Sequence, residues 1–526
     1  MATPNSSEQV QPKKGSRLLS SSTLVSAMTL LSRVLGLVRD ILIAQFLGAG
    51  SSADAFFVAF KVPNFLRRLF AEGAFSQAFV PVLSEYKLKS KEDVRQLIKP
   101  VMGALGSITL GLCVIAALFA PAVVWLVAPG FSDTPDKMAL TSEMMRITFP
   151  YLFFVSTMAC ASGVLNTYGV FAPSAFSPVL LNVTMIAAIV FVSPVLDTQS
   201  MALAWAVAIA GMLQLLLHLY YLAKIDLFVW PAYNWKHPGV RRILKLMAPA
   251  VFGVSISQIN LFLDTILASF LEDGSVSWLY YADRLIELPL GIFGIAIATV
   301  ILPHLSTQHA SKSTKGFGDT LDWGARWVVV LGIPAAVAMV VLAEPILVSL
   351  FYYGAFALSD VIKSAEALQA YTLALLSFML IKVFATGYFS RQDTKTPVKI
   401  GIIAMVVNMV ANIILIQFFA HVGLALATAL SAFINAFLLY HGLSKAGVFS
   451  IKKETWFFVG RVFAASIVMV SSLLLLDLST ATWADWEFWM RIAVLIGAIV
   501  LGFSVFIGSL FIFGVRPKDL KEPVED

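Results

Sequence analysis

Four arginines stand where arginine is costly. Arg33 and Arg39 lie near the middle of one long apolar segment, and Arg67 and Arg68 near the middle of the next. The stretch from Thr23 to Glu85 reads TLVSAMTLLSRVLGLVRDILIAQFLGAGSSADAFFVAFKVPNFLRRLFAEGAFSQAFVPVLSE. A cation at mid-bilayer costs roughly 2.5–3.5 kcal/mol on the insertion scale, so four would cost about 10–14 kcal/mol if additive. That rivals the roughly 5–15 kcal/mol stability of a whole domain. Such residues persist when they face a bundle interior or a wet cavity and have something to bind, and the candidate is an anion. Arginine offers a planar fork of donors that matches phosphate oxygens, which lysine offers only as a point charge.

A later segment, SVSWLYYADRLIELPLG, carries Ser277, Asp283, Arg284 and Glu287, with Arg284 and Glu287 three apart on one helical face. Lys382 lies inside LSFMLIKVFATGYF. Arg33, Arg39 and Arg67 facing Arg284 would clamp a diphosphate from both halves of the chain. The competing reading pairs the arginines with Asp40, Asp54 or Glu72, or lets them snorkel to an interface, and it suits Arg68 and Arg146 better.

A second set of residue types points to a cation. Asp264 sits in the apolar run NLFLDTILASF, Asn408 and Asn412 are four apart in VVNMVANIIL, and Thr428 lies in LALATALS. A carboxylate, two amide oxygens and a hydroxyl form an all-oxygen set suited to a hard cation such as sodium. The alternative is ordinary helix-packing hydrogen bonding with a protonated Asp264. Cys113 and Cys160 both lie in apolar runs and read as small core residues. No GxxxxGK[ST] loop, HExxH or nucleophile elbow occurs, so the chain reads as neither an ATPase nor an enzyme. A sodium gradient, the membrane potential or the substrate gradient is the expected driver.

The elements that must position these residues are membrane helices. The 526 residues are 59% hydrophobic and 13% charged, and the mean hydropathy is +0.85. Continuous apolar runs of about 20 residues recur where a barrel would show alternation, so the spans are helical. The fold expected is an all-α polytopic membrane protein of about fourteen helices. They fall near 22–48, 53–85, 98–128, 140–168, 174–194, 199–223, 240–271, 274–308, 320–352, 362–391, 396–418, 421–446, 455–478 and 487–515. Basic residues cluster in alternate loops, among them Lys87, Lys89, Lys91, Arg95, Lys99, Lys224, Arg241, Arg242, Lys452 and Lys453. Asp133, Asp136, Asp197, Glu272 and Asp273 mark the opposite loops. The positive-inside rule then places both termini in the cytoplasm, and it explains the net charge of +6 without nucleic acid.

An internal repeat underlies the spans. DILIAQFLGAG from Asp40 matches DTILASFLEDG from Asp264 at an offset of 224, and Pro173 matches Pro397 at the same offset. FVPVLS ending at Ser84 parallels VILPHLS ending at Ser306. Two six-helix lobes in parallel repeat, with their site between them, describe an alternating-access carrier. The expected divisions are a cytoplasmic tail at 1–21, an N-lobe at 22–223 and a C-lobe at 224–447. An added helix pair at 448–515 and a cytoplasmic tail at 516–526 complete the chain.

LSRVLGLVRD, ADAFFVAFKVPNFLRRLFAEGAFSQAFVPV, SVSWLYYADRLIELPLGIFGIAIATVILP and FSRQDTKTPVKI closely resemble the MurJ (MviN) family of lipid II flippases, within the multidrug/oligosaccharidyl-lipid/polysaccharide exporter superfamily. The resemblance implies a multi-pass protein of the bacterial cytoplasmic (inner) membrane. It would move the undecaprenyl-diphosphate-linked peptidoglycan precursor to the outer leaflet. It also implies substrate-binding roles for Arg33, Arg39, Arg67 and Arg284, with Asp54, Ser277 and Glu287 as further polar members; Lys382 joins the expected substrate-binding set from its place in an apolar run, not from the resemblance. The helix pair at 448–515 would shape a groove for the lipid tail. Trp456, Trp483, Trp486 and Trp489 at its ends read as interfacial belt residues. Partners expected are lipid II, membrane lipids and the cell-wall synthesis machinery. Rival readings are a flippase for another polyprenyl-diphosphate-linked glycan, a drug-cation exporter, which would want an acidic cavity, and a non-transporting scaffold, which would need no buried arginines.

Overall fold

The computed structural model describes residues 14–69 and 75–521, with the side chains of 14–22, 248–259 and 261 left aside. Glu72, most of the expected N-terminal tail and residues 522–526 lie outside the described residues. The chain is helical throughout the described residues, and the helices trace the passes read from the sequence. Many are interrupted.

The first pass is α1 (Lys14–Leu47), which begins earlier than residue 22. The second is split into α2 (Ser51–Arg67) and α3 (Phe75–Lys87). The third is α4 (Lys91–Leu118) with α5 (Ala120–Val127), and the fourth is α6 (Pro135–Thr148) with α7 (Pro150–Thr167). α8 (Ala172–Ala187) and α9 (Met201–Lys224) complete the first half. The second half opens with α10 (Pro238–Ala268), then α11 (Ser275–Pro289) and α12 (Ile295–Ala310) in one pass. α13 (Thr314–Val341) with α14 (Ala343–Phe351) and α15 (Leu358–Thr372) with α16 (Leu375–Phe389) follow. α17 (Lys395–Lys445) carries the next two passes, and α18 (Lys453–Leu473), the short α19 (Thr480–Asp485) and α20 (Phe488–Ile512) end the chain. Ten helical segments among the described residues are long and apolar enough to cross a membrane by themselves, counting α17 once.

Prolines explain several breaks. Pro63 lies inside α2 shortly before a π turn at Arg68–Leu69, and Pro289 ends α11 at a π-helical turn, Leu290–Gly294. A ring without an N–H forfeits the bond to the carbonyl four residues earlier, and a π turn follows each of these prolines. The two π turns lie at equivalent places in the sequence repeat, so the backbone irregularity is repeated too. Inside α17 the chain reverses at Ala420, whose φ is +46°. The reversal is tight enough that a Cβ at Gly423 would stand 2.4 Å from Leu415 O, so glycine is needed there.

The chain packs as two compact units that do not coincide with the lobes expected from the repeat. One comprises Met1–Leu42, Phe60–Phe119 and Met145–Phe252; the other comprises Ile43–Ala59, Ala120–Met144 and Gly253–Asp526. The ends of α1, α2, α5 and α6 beside the acidic loops therefore pack with the second half of the chain. In the second unit α18 and α20 bury Phe458, Val462, Met469 and Phe506 against Val329, Val330 and Ile333 of α13. Their other faces leave Trp456, Phe457, Phe503 and Trp489 exposed, as lipid-facing helices do. Trp483 departs from the belt expected of it. It is fully buried, lies tilted against Trp486 with ring centres 5.2 Å apart, and donates its indole N–H to Asp477 O.

Candidate functional site

In the first unit the arginines of the opening segment have different surroundings. Arg39 is 9% exposed and its guanidinium is engaged, donating from Nε and Nη2 to Asp40 Oδ1 at 2.9 and 2.6 Å. Its Nη1 donates to Asn182 Oδ1 of α8 at 3.0 Å, and Asn182 in turn donates to Ser32 O at 2.9 Å. Arg39 thus ties α1 to α8 and pairs with the buried Asp40. The pairing with Asp40 that the sequence offered as an alternative is present. Arg33, one and a half turns earlier, is half-buried and makes no hydrogen bond to another described residue. Arg67 is half-buried near the π turn and donates to Asn64 Oδ1 at 3.0 Å, and Arg68 lies half-buried within that turn. Arg146 donates instead to the carbonyl of Ala117 at the end of α4.

In the second unit Arg284 and Glu287 meet on one face of α11 at 3.1 Å. Both remain partly uncovered by protein. Lys382 on α16 is exposed, and the π turn Leu290–Gly294 packs against both α11 and α16, bringing the two helices into one neighbourhood.

Asp54 and Ser277 are not part of that exposed set. Asp54 is 1% exposed, and its carboxylate accepts from Ser277 Oγ at 2.6 Å and from the backbone N–H groups of Ser277 and Gly274, each at 2.9 Å. It caps the start of α11 from a different helix, where a negative charge is favoured. Lys137 Nζ, equally buried, bridges Asp54 Oδ2 at 2.9 Å and Asp273 Oδ1 at 2.6 Å, and Ser51 Oγ donates to Asp273 Oδ2 at 2.5 Å. All the oxygens of Asp54 are occupied within the protein, so in this arrangement neither it nor Ser277 reaches a substrate. Burial raises the pKa of Asp273, but the hydrogen bonds from Lys137 and Ser51 and the lysine charge outweigh it and hold the carboxyl below its ordinary 3.8.

Backbone contacts tighten the same end. Ala355 N donates to Gln45 O at 2.8 Å, and Gly130 N donates to Ser269 Oγ at 3.0 Å. A Cβ at Gly130 would stand 2.2 Å from Ser269 O and one at Gly48 2.5 Å from Ala355 O. Sequence reading missed Lys137, whose signal was a lone lysine among acidic loops.

The four residues expected to hold a cation do come together. Asn412 Nδ2 donates to Asp264 Oδ1 at 2.7 Å and to Asn408 Oδ1 at 3.1 Å, and Asn408 Nδ2 donates to Thr428 Oγ1 at 3.4 Å. Asn412 Oδ1 is buried without a hydrogen-bond partner. The cysteines are both buried and unpaired, and Cys113 donates to Phe149 O.

A bundle of this many apolar helices, repeated in two halves and retaining intramembrane arginines, defines a polytopic membrane carrier. The fold is shared with an inward-facing transporter of the multidrug-exporter MATE family, 15% identical, with a TM-score of 0.65 over 79% of this chain and 95% of that one. The family described as lipid II flippase MurJ matches residues 43–494. A protein of Vibrio cholerae named as a probable lipid II flippase MurJ is 50% identical over 97% of this chain and 98% of its own length. A solved lipid II flippase MurJ in an inward closed conformation is 27% identical, covering 95% of this chain and 99% of that one with a TM-score of 0.78. The chain belongs to the MurJ lipid II flippase family.

Proposed function

We propose that this protein flips lipid II, the lipid-linked peptidoglycan precursor, from the inner to the outer leaflet of the bacterial cytoplasmic membrane by alternating access. The observation that carries the reading is a full-length match to lipid II flippases in a chain that keeps arginines at intramembrane depth. Arg33, Arg67 and Arg284 neutralise the diphosphate, with Glu287 and Lys382 setting the local charge, while Arg39 acts as a positioning residue through Asp40 and Asn182. The polyprenyl tail stays in lipid along the apolar outer faces of α18 and α20. Both termini lie in the cytoplasm, as the basic loops require. The chain moves its substrate and does not transform it, and contact with cell-wall synthases would serve delivery.

The reading extends to a driver. Asp264, Asn408, Asn412 and Thr428 would hold sodium: the donors are all oxygens, and a half-turn of the Asn412 amide would present its orphaned Oδ1 toward Asp264. Two oxygens so placed repel unless a cation joins them. Sodium binding there would stabilise one conformation of the second half of the chain.

The test is depletion of the protein in growing cells, reading lipid II accessible at the outer leaflet. A fall in outward lipid II with accumulation inside is expected. Unchanged outward lipid II on depletion would remove the proposal.

A further inference from the structure

The first unit contains a cleft of about 690 Å³ between α3 and α7 that the diphosphate chemistry does not use. Ser76, Val80, Ser84 and Lys87 form one stripe along α3, at the three- and four-residue spacings of a helix face, and Ser162, Asn166 and Thr167 line the cleft from α7. The two helices run side by side because residue 163 is glycine: a Cβ there would stand 3.0 Å from the buried ring of Phe79. The cleft falls within the range of small-ligand sites, ~300–1,000 Å³, but it is lined by hydroxyls, an amide and an ammonium where most such sites are apolar.

Its polar groups are ordered. Ser162 and Ser174 hydroxyls lie 2.6 Å apart, Ser174 Oγ donates to Asn166 Oδ1 at 3.1 Å, and Asn166 Nδ2 reaches Ser162 Oγ only at 3.4 Å. One strong amide donor is thereby left weakly engaged and facing the cleft. Lys87 Nζ donates to Thr167 O at 2.5 Å and sits 4.5 Å from the ring centre of Tyr168. That ammonium is held by a carbonyl and an aromatic face, and no ion pair among the described residues includes it. The nearest acid in sequence, Glu85, is taken: it forms a bidentate pair with Arg242 at 2.6 and 2.7 Å. Among the described residues no carboxylate lines the cleft.

We infer that this cleft is a docking subsite for the sugar–peptide head of the substrate, with Lys87 receiving a peptide carboxylate and Asn166 and the serines hydrogen-bonding amide and hydroxyl groups. A neutral hydroxyl and amide lining suits acetylated sugars and peptide bonds, and a single ammonium at one end suits one carboxylate. A diphosphate would favour the arginine fork, which the cleft lacks. The basic-loop end of α3, where Lys87 lies, is where a head group enters from the cytoplasm. The inference rests on the lipid II reading.

The test uses the purified full chain in nanodiscs and a soluble probe, the disaccharide–peptide head without diphosphate or lipid. Its affinity is measured by competition against labelled lipid II for the wild type, Lys87→Gln and Asn166→Ala. Lys87 is exposed, so its replacement leaves the fold intact. Lys87→Gln should weaken the head fragment about tenfold, the order of one charged hydrogen bond. Amidating the peptide carboxylates should weaken binding to the wild type equally and leave Lys87→Gln unchanged. Inorganic diphosphate should compete equally well in both. Equal affinity of the carboxylate and amidated fragments for the wild type, or unaltered affinity in both variants, overturns the subsite. If wild-type protein binds labelled lipid II no better than a neutral polyprenol, the flippase reading fails, and the subsite with it.

Discussion

Arg33 and Arg39 share a helix and six residues of spacing, yet one is committed to the protein and the other is not. Removing Arg39 takes from the buried Asp40 the guanidinium paired with it, and breaking such a buried pair costs about 3–5 kcal/mol. Arg39→Ala is therefore expected to lower the thermal midpoint and yield of the purified protein, and Arg39→Ala with Asp40→Asn should regain much of that loss. Arg33→Ala, Arg67→Ala and Arg284→Ala should leave the midpoint near wild type and yet fail to support growth in a depletion strain. Full complementation by all three would show that they do not bind the diphosphate. At the cation set, sodium should raise the wild-type midpoint more than potassium does, and Asp264→Ala and Asn412→Ala should each abolish the difference. A sodium shift that persists in both would move the ion elsewhere.

At the acidic-loop ends, α2, α6 and the approach to α11 are joined through one lysine. Lys137 is buried beside Asp54 and reaches the half-exposed Asp273, and its loss leaves the buried Asp54 without that ammonium. This latch also accounts for the burial of Ser275, at the very start of the span expected from residue 274. A cysteine at Ser275 should resist an impermeant thiol reagent in the wild type and react in Lys137→Ala. Its reactivity in an otherwise unaltered chain would mean that the latch is not the prevailing state. The pH dependence follows from Asp273. Its pKa in the latched form lies below 3.8, so the ionised pair contributes fully above that value and is lost as pH falls through the lowered pKa. Thiol protection at Ser275 should accordingly be flat from about pH 5 to 8 and fail only under strong acid.

For the molecule as a whole, the loops decide orientation. A cysteine at the exposed Ser132, between α5 and α6, should react with an impermeant reagent in intact cells, and one at Lys312, between α12 and α13, only after permeabilisation. The reverse pattern would invert the topology and with it the direction of transport. Outward movement of an anion is favoured by a membrane potential negative inside, at about 2.3 kcal/mol per charge per 100 mV. Collapsing the potential should therefore slow outward lipid II delivery.

Hydropathy and loop charge by themselves determined that this chain is a many-pass helical bundle, because the bilayer demands long apolar runs with internally satisfied backbones. The repeat was equally legible, since matched Asp and Pro positions survive as letters. Long motifs carried the family, and the spacing of Asn408 and Asn412 was enough to predict one face. Only the tertiary structure decided which charges are free. Arg39 and Arg33 look alike in sequence, and Asp54 reads as a cavity acid until α11 is seen resting its first turn on it. Lys137 and Asp273 are separated by 136 residues, and no local pattern links them. The partner of a buried charge is chosen by packing across helices, and helix periodicity says nothing about which distant helix arrives there.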